Sequence, residues 1–219
     1  MKYLITGASG FLGGRLSVFL EEKGHEVLKG TRNLSTIESS KLNSNSNWVF
    51  TDFDNITNLK RICQDVDLLI HAAGPNSEQS TLNLSSLNYY SELTKNLTKA
   101  AKDSKIKRII YLSTIHVYKN SLEGLITEET SPMNNNPYSL YNLAGEKVIR
   151  SSFGSDPNKA IILRLSNLFG YPIDKKVNCW SLFINNICKE IIQNKTITIK
   201  SNPLIKRDFL SVKSFCEMI

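Results

Sequence analysis

Six apolar runs rich in Ile, Leu and Val recur along the chain. We interpret each run as a buried parallel strand, because strands that are covered on both faces lack the polar alternation of a half-exposed sheet. The predicted strands cover residues 3–6, 26–31, 48–52, 67–73, 108–114 and 160–166. The predicted helices cover residues 11–23, 57–64, 86–104, 137–153 and 177–192. This alternation predicts an α/β fold with a doubly wound parallel sheet and right-handed crossovers.

Length and composition add limits to this picture. The chain has 219 residues and 41% hydrophobic content, which is enough for one domain with a substantial core. Its net charge of +7 favours anionic ligands, but the basic residues are scattered, so no nucleic-acid partner is expected. We also expect a cytoplasmic protein without membrane contact, because no signal-peptide core and no apolar run of membrane-spanning length occurs.

The four cysteines show neither a Cys-x-x-Cys pair nor histidines at a spacing that suits zinc. We therefore expect reduced structural thiols and no metal site.

The stretch TGASGFLG, residues 6–13, follows the first predicted strand and opens the first predicted helix. Glycines spaced three residues apart permit a tight turn and let backbone N–H groups approach a pyrophosphate at the helix N-terminus. In this strand–turn–helix context the motif predicts a dinucleotide site. The residues predicted to contact the cofactor here are Gly7, Ser9, Gly10, Phe11, Leu12 and Gly13.

This glycine spacing, led by Thr-Gly, resembles the extended short-chain dehydrogenases/reductases, the NAD-dependent epimerase/dehydratase family that modifies nucleotide sugars. The resemblance implies a Rossmann-type NAD(P)-binding domain over residues 1–219, with the start of a substrate-binding region from about residue 170. Enzymes of the family continue beyond the position of Ile219 into a small substrate lobe, so we expect that lobe to be missing or truncated.

Arg32 follows the second predicted strand, where domains that select NAD usually place an acidic residue for the adenosine ribose. No Asp or Glu follows before Glu38. A guanidinium suits a 2′-phosphate, so NADP is the preferred cofactor and NAD a possible one. The alternative is a solvated arginine at a strand end.

Two further stretches extend the cofactor site by resemblance. In the family an aspartate at the end of the third strand holds the adenine amino group, which here indicates Asp52 with Phe53. The stretch HAAG resembles the turn of small residues along which the cofactor lies, which indicates His71, Ala72 and Ala73.

The predicted chemistry centres on Thr114, Tyr138 and Asn142. The stretch YLSTIHVYK resembles the family's Ser/Thr-x-x-Val-Tyr segment and places the catalytic hydroxyl at Thr114. The stretch NPYSLYNLAGEKVI aligns Tyr138 with the catalytic tyrosine and Asn142 with the lysine one helical turn later. We therefore expect a catalytic trio in which an amide replaces a cation.

The family's lysine binds the nicotinamide ribose and lowers the pKa of the tyrosine by its charge. Asn142 can do the first but not the second, although a lysine from elsewhere, such as Lys119, is a candidate source of charge. A ketoreductase could still use a neutral tyrosine as an acid, whereas alcohol oxidation, which needs a base, would suffer more. The alternative is a non-catalytic NAD(P)-binding sensor or scaffold that lost the lysine.

Ile115 and His116 stand where sugar-nucleotide dehydratases of the family carry an Asp-Glu pair. A 4,6-dehydration is therefore not expected. His116 is either a proton donor or a structural histidine at a strand end.

The substrate side is also inferred by resemblance. The stretch RLSNLFGYP places Asn167 against the phosphate or sugar, and IKRDFLSV brings Arg207 to a diphosphate, unless Arg207 instead pairs with Asp208. These segments imply a nucleotide-sugar substrate, with hydride transfer at a carbonyl or hydroxyl that we place at C4. The family also makes a homodimer possible.

Overall fold

A computed structural model describes residues 1–40, 47–77, 80, 84–118, 124–133, 135–199, 202 and 205–219. The main sheet has six strands: β1 Lys2–Thr6, β2 Glu26–Thr31, β3 Trp48–Phe50, β4 Leu68–His71, β5 Arg108–Thr114 and β6 Ala160–Leu165. A second sheet pairs β7 Asn167–Phe169 with β8 Phe209–Ser211. The α-helices are α1 Phe11–Glu22, α2 Leu34–Ser40, α3 Ile56–Cys63, α4 Leu84–Asp103, α5 Pro137–Phe153, α6 Phe183–Asn194 and α7 Val212–Met218.

All strands of the main sheet are parallel, in the order β3-β2-β1-β4-β5-β6. Strand β1 pairs with β2 on one side and with β4 on the other, so the direction of winding reverses beside β1. In open α/β sheets, ligands bind outside the carboxyl ends of the strands at such a switch point. The predicted fold class, a Rossmann-type doubly wound sheet, is confirmed.

Two hydrophobic clusters cover the two faces of the sheet. Successive strand residues point to opposite faces, and so Leu4 lies in one cluster and Ile5 in the other. Helices α3, α4 and α5 cover the first face, where Leu97 and Ile149 are fully buried. Helices α1 and α7 contact each other over the second face.

The start of α5 is fixed by its sequence. The side chain of Asn136 accepts a hydrogen bond from the backbone N–H of Ser139 at 2.8 Å, and Pro137 occupies the first helical turn. An Asn cap followed by proline favours helix initiation at this point, because the cap satisfies an N–H that the helix leaves unpaired and the ring fixes φ. The helix therefore holds Tyr138 in its first turn.

The helix predicted at residues 177–192 begins only at Phe183 and ends at Asn194. Before it, the side chains of Asp174 and Asn178 accept hydrogen bonds from backbone N–H groups two residues later, at 2.9 and 3.3 Å. Such local turns compete with helix formation. The prediction also missed α2, α7, β7 and β8, because three-residue strands and seven-residue helices carry too little periodicity.

Among the helices of the described ranges, none is long and apolar enough to cross a membrane.

Candidate cofactor and catalytic site

The loop between β1 and α1 has the geometry that a dinucleotide requires. Gly7 has φ of +72°, and its carbonyl accepts the N–H of Gly10 at 2.9 Å, which closes the turn. A Cβ at Gly7 would stand 2.8 Å from the backbone nitrogen of Ala73, and one at Gly13 would stand 2.4 Å from the carbonyl oxygen of Gly7. Only glycine permits this approach, so the residues present fit a cofactor whose pyrophosphate lies against bare backbone.

Three other residues predicted for this loop, Ser9, Phe11 and Leu12, follow the end of β1 and reach into the first turn of α1. Phe11 and Leu12 begin α1, and their side chains pack partly into the core. The hydroxyl of Ser9 lies 3.1 Å from that of Thr31, the last residue of β2. The loop is thereby attached to the strand end that carries the next predicted residue, Arg32.

Arg32 is exposed immediately after β2. Across from it, the hydroxyl of Tyr89 donates to Oδ2 of Asp54 at 3.0 Å. This hydrogen bond and burial raise the pKa of Tyr89, and the positive charge of Arg32 acts in the opposite direction. Arg32 is therefore close enough to Tyr89 for its charge to act on that phenol.

Asp52, in the loop after β3, is held by two hydrogen bonds with residues that follow it closely in the sequence. Its N–H donates to Oδ1 of Asn58 at 3.1 Å, and its Oδ1 accepts the N–H of Asp54 at 3.2 Å. Phe53 is buried in the core, and its carbonyl accepts from Nδ2 of Asn96 at 3.0 Å. The side chain of Asp52 is thus placed at the strand edge, whereas that of Phe53 faces inward.

His71 ends β4, and its imidazole is buried between two hydroxyls. Nδ1 lies 2.7 Å from Oγ1 of Thr6, and Nε2 lies 3.5 Å from Oγ1 of Thr94. Burial lowers the pKa of His71 to about 4, so the ring is neutral at physiological pH. A cofactor would consequently meet the backbone of the HAAG turn, Ala72 and Ala73 included, and not this imidazole.

The three residues predicted for catalysis meet at the carboxyl end of β5. Thr114 ends β5 and is 4% exposed, and Tyr138 lies in the first turn of α5. Burial raises the pKa of Tyr138, and polar contacts with the side chains of Thr114 and Asn142 act in the opposite direction. The phenol is therefore protonated at neutral pH.

Asn142 lies one turn after Tyr138 and is 9% exposed. Its Nδ2 donates to the carbonyl oxygen of Tyr138 at 2.8 Å. The amide is thus partly engaged with its own helix, but it has a second N–H and an oxygen acceptor with which to bind a hydroxyl. Lys119 lies outside the described residues.

Close packing of α5 on β5 sets the position of this trio. A Cβ at Gly145 would stand 2.2 Å from the phenol oxygen of Tyr111 on β5, so only glycine lets the helix come this near. The hydroxyl of Tyr111 donates to the carbonyl oxygen of Asn142 at 3.5 Å. The helix face that carries Tyr138 and Asn142 is therefore held against the strand that ends in Thr114.

Sequence reasoning missed a buried ion pair beside the trio. Glu146, which is 3% exposed, accepts two hydrogen bonds from Arg164 of β6, Nε–Oε1 at 2.9 Å and Nη2–Oε2 at 2.6 Å. Ser113 donates to the same carboxylate at 2.6 Å, and Arg164 Nη1 donates to the hydroxyl of Tyr118 at 2.7 Å. The sequence carries only half of the signal: Arg164 interrupts an apolar strand, which points to a buried charge, but nothing in the sequence identifies Glu146 as its partner.

The residues predicted for the substrate lie near β7 and β8. Nδ2 of Asn167 donates to the carbonyl oxygen of Asp208 at 2.9 Å. This hydrogen bond holds the side chain of Asn167 against the residue that precedes β8. The guanidinium of Arg207 lies 5.6 Å from the centroid of Phe183, the first residue of α6. Arg207 is exposed and close enough to His116 to lower the pKa of that imidazole.

Comparison with known proteins gives one family. The family described as "NAD dependent epimerase/dehydratase family" matches residues 3–219. Among curated proteins, the chain is 28% identical to an uncharacterized UDP-glucose epimerase of Bacillus subtilis, over 95% of this chain and 68% of that protein. It is 27% identical to a dTDP-D-glucose 4,6-dehydratase of Dictyostelium discoideum, over 96% of this chain and 52% of that protein. The chain thus spans between about half and two thirds of the length of these relatives.

Solved structures agree on the fold. The UDP-glucuronic acid 4-epimerase from Bacillus cereus, in complex with UDP-glucuronic acid and NAD, has a TM-score of 0.77 at 25% identity, over 99% of this chain and 71% of that one. The dTDP-glucose 4,6-dehydratase from Bacillus anthracis, in complex with NAD, has a TM-score of 0.78 at 21% identity, over 99% of this chain and 69% of that one.

Proposed function

Because the chain belongs to the NAD-dependent epimerase/dehydratase family, we propose that it is an oxidoreductase or epimerase that transfers hydride at C4 of a nucleotide-linked sugar. The observation that supports this most directly is the meeting of Thr114 and Tyr138 at the end of β5. Bound NAD(P) would supply or accept the hydride. Thr114 would hydrogen-bond the reacting sugar oxygen, and Tyr138 would exchange its proton.

The relatives support the substrate class. They are named for UDP-glucose, UDP-glucuronic acid and dTDP-glucose, each of which combines a nucleoside diphosphate with a sugar. Arg207 is an exposed guanidinium on the substrate side, and a guanidinium binds a diphosphate through paired hydrogen bonds. Dehydration is the less favoured chemistry, because Ile115 and His116 provide no carboxylate pair.

A panel of UDP- and dTDP-linked 4-ketosugars, incubated with NADPH while the absorbance of the reduced cofactor is followed, tests the proposal. Oxidation of NADPH with at least one sugar is expected. If the protein binds NADPH in a calorimeter but oxidises it with no sugar, the proposed activity is wrong and a sensor or scaffold remains.

The non-catalytic alternative is favoured by one observation, the amide at position 142. Replacing Asn142 by Lys separates the two: if the site is catalytic, the added charge lowers the pKa of Tyr138 and alcohol oxidation extends to lower pH. The pH–rate profile of sugar oxidation measures this. Asn142→Gln is the control, since it lengthens the side chain without charge, and equal profiles for the two variants would contradict a role for charge at this position.

Cofactor preference rests on Arg32. A guanidinium paired with the 2′-phosphate contributes roughly 1.5–3 kcal/mol, or about one to two decades in favour of NADP over NAD. Arg32→Ala should remove most of this preference and Arg32→Asp should reverse it, as measured by calorimetric titration with both cofactors. Added salt should narrow the preference, because an exposed pair is screened.

Arg61→Ala is the matched control for Arg32, because Arg61 is likewise exposed but lies in the last turn of α3. If the unmutated protein binds the two cofactors with equal affinity, Arg32 has no role in cofactor choice and is a solvated surface residue. The two solved relatives above are complexes with NAD, so a preference for NADP would distinguish this chain from them.

A further inference from the structure

His116 is fixed by its backbone to both elements that carry the predicted catalytic residues. It lies in a short 3-10 turn, Ile115–Val117, that directly follows β5. Its N–H donates to Oγ1 of Thr114 at 3.2 Å, and its carbonyl oxygen accepts from Oγ of Ser139, the neighbour of Tyr138, at 2.5 Å. These two hydrogen bonds therefore fix the backbone of His116 relative to Thr114 on β5 and to the first turn of α5, which carries Tyr138.

The imidazole of His116 shares the space in front of Tyr138. The two ring centroids are 6.3 Å apart, with an angle of 58° between the planes. The next residue, Val117, is fully buried, whereas part of the His116 side chain stays open to a ligand. The charge of Arg207 also acts on this imidazole.

The predicted catalytic residues lack a proton acceptor for alcohol oxidation, and this imidazole can serve as one. Tyr138 has a pKa raised by burial and no lysine one turn later, so its phenol is protonated at pH 7. Alcohol oxidation needs a proton acceptor. Desolvation, and secondarily the charge of Arg207, lower the pKa of His116, so its imidazole is neutral and basic at pH 7.

We propose that His116 is a catalytic acid–base residue that exchanges a proton with Tyr138 through a hydroxyl of the substrate. This role rests on the proposed function. In oxidation, the reacting sugar hydroxyl would give its proton to the phenol oxygen of Tyr138, and the phenol proton would pass through a second substrate hydroxyl to the imidazole. Bound oxidised cofactor would accept the electron pair of the sugar C–H bond as hydride, which leaves a ketone, neutral Tyr138 and protonated His116.

The groups that face the imidazole set its pH dependence. Among the described residues, they are Tyr138 from α5 and Arg207 from the segment before β8, while the hydroxyl of Thr114 bonds the backbone of His116 and not its ring. The pKa of His116 is lowered by desolvation and by the charge of Arg207, so the base form is present at neutral pH and oxidation should fall as pH drops through that pKa. Reduction uses the protonated form and should respond in the opposite direction.

Replacing His116 by Gln tests the proposal. We expect sugar oxidation to fall about 10²-fold at pH 7 with cofactor affinity unchanged, and the fall of the rate at acid pH to disappear. Imidazole added to His116→Ala should restore part of the rate. His25→Gln is the control, because His25 packs at a tilt against Tyr3 near the opposite end of the sheet, and the change should leave rate and profile as they are.

A measurement without turnover tests the geometry. The chain has three histidines, so the pKa of each imidazole can be followed by NMR. Arg207→Gln should raise the pKa of His116, whereas an unchanged pKa of His116 would overturn the placement of Arg207 beside it. If the His116→Gln variant oxidises the sugar at the full rate while the Tyr138→Phe variant is inactive, the role proposed for His116 is wrong and the proposed function stands. If the unmutated protein turns over none of the sugars, the proposed function is wrong as well.

Discussion

Tyr138→Phe should reduce turnover about 10²- to 10⁴-fold in both directions, the range that proton transfer by a positioned side chain contributes. The substitution removes only the hydroxyl. The ring that packs beside His116 stays, and so does the backbone carbonyl that accepts from Asn142. Stability and cofactor affinity should therefore change little, and the loss should appear in kcat. Steady-state kinetics with the best nucleotide sugar, beside calorimetric titration of the cofactor, measures both.

Tyr3→Phe provides the control for this loss. Tyr3 is also buried and has a pKa raised by burial, but it lies on β1, next to His25 and remote from the end of β5. It should retain full turnover. If Tyr138→Phe behaves like Tyr3→Phe, the catalytic assignment of Tyr138 is wrong.

Removing one partner of the Glu146–Arg164 pair should have the largest effect on folding. Glu146→Ala leaves the guanidinium of Arg164 in a largely buried place without its carboxylate, and breaking a buried pair in this way costs about 3–5 kcal/mol. The Ser113 hydroxyl loses its acceptor as well. Urea unfolding followed by circular dichroism gives the free energy of unfolding of each variant.

Two comparisons make this prediction specific. Glu92→Ala removes one partner of an exposed pair with Lys95 on α4 and should cost less than about 1 kcal/mol. Glu146→Met combined with Arg164→Met removes both buried charges and should recover much of the loss. A cost for Glu146→Ala no greater than that for Glu92→Ala would show that the pair is already solvated.

The features that could be predicted from the sequence are those with local causes. Gly7 and Gly13 signal close backbone approach by their spacing alone, and the apolar strands are visible because parallel strands are buried on both faces. The structure places Thr114 and Tyr138 together, as predicted. The sequence allowed this because both the end of the strand and the start of the helix could be recognised from local patterns. Their catalytic roles remain predictions.

What could not be predicted depends on contacts between distant segments. Glu146 and Arg164 belong to a helix and a strand and lie 18 positions apart, and neither residue alone reveals a partner. The pairing of β7 with β8 joins segments about forty residues apart, each too short for a periodic pattern. The late start of α6 depends on side chains of Asp174 and Asn178 that bond their own turns.

Helix α7 has a consequence for the order in which the chain folds. Phe215 is completely buried against the cluster that contains Ile5 and Leu16, although those residues lie some two hundred positions earlier. During synthesis the N-terminal strands and α1 emerge first, but Phe215 can take its place beside Ile5 and Leu16 only after its own segment has left the ribosome. This face of the sheet is therefore completed late in translation, after the opposite face has received α3, α4 and α5.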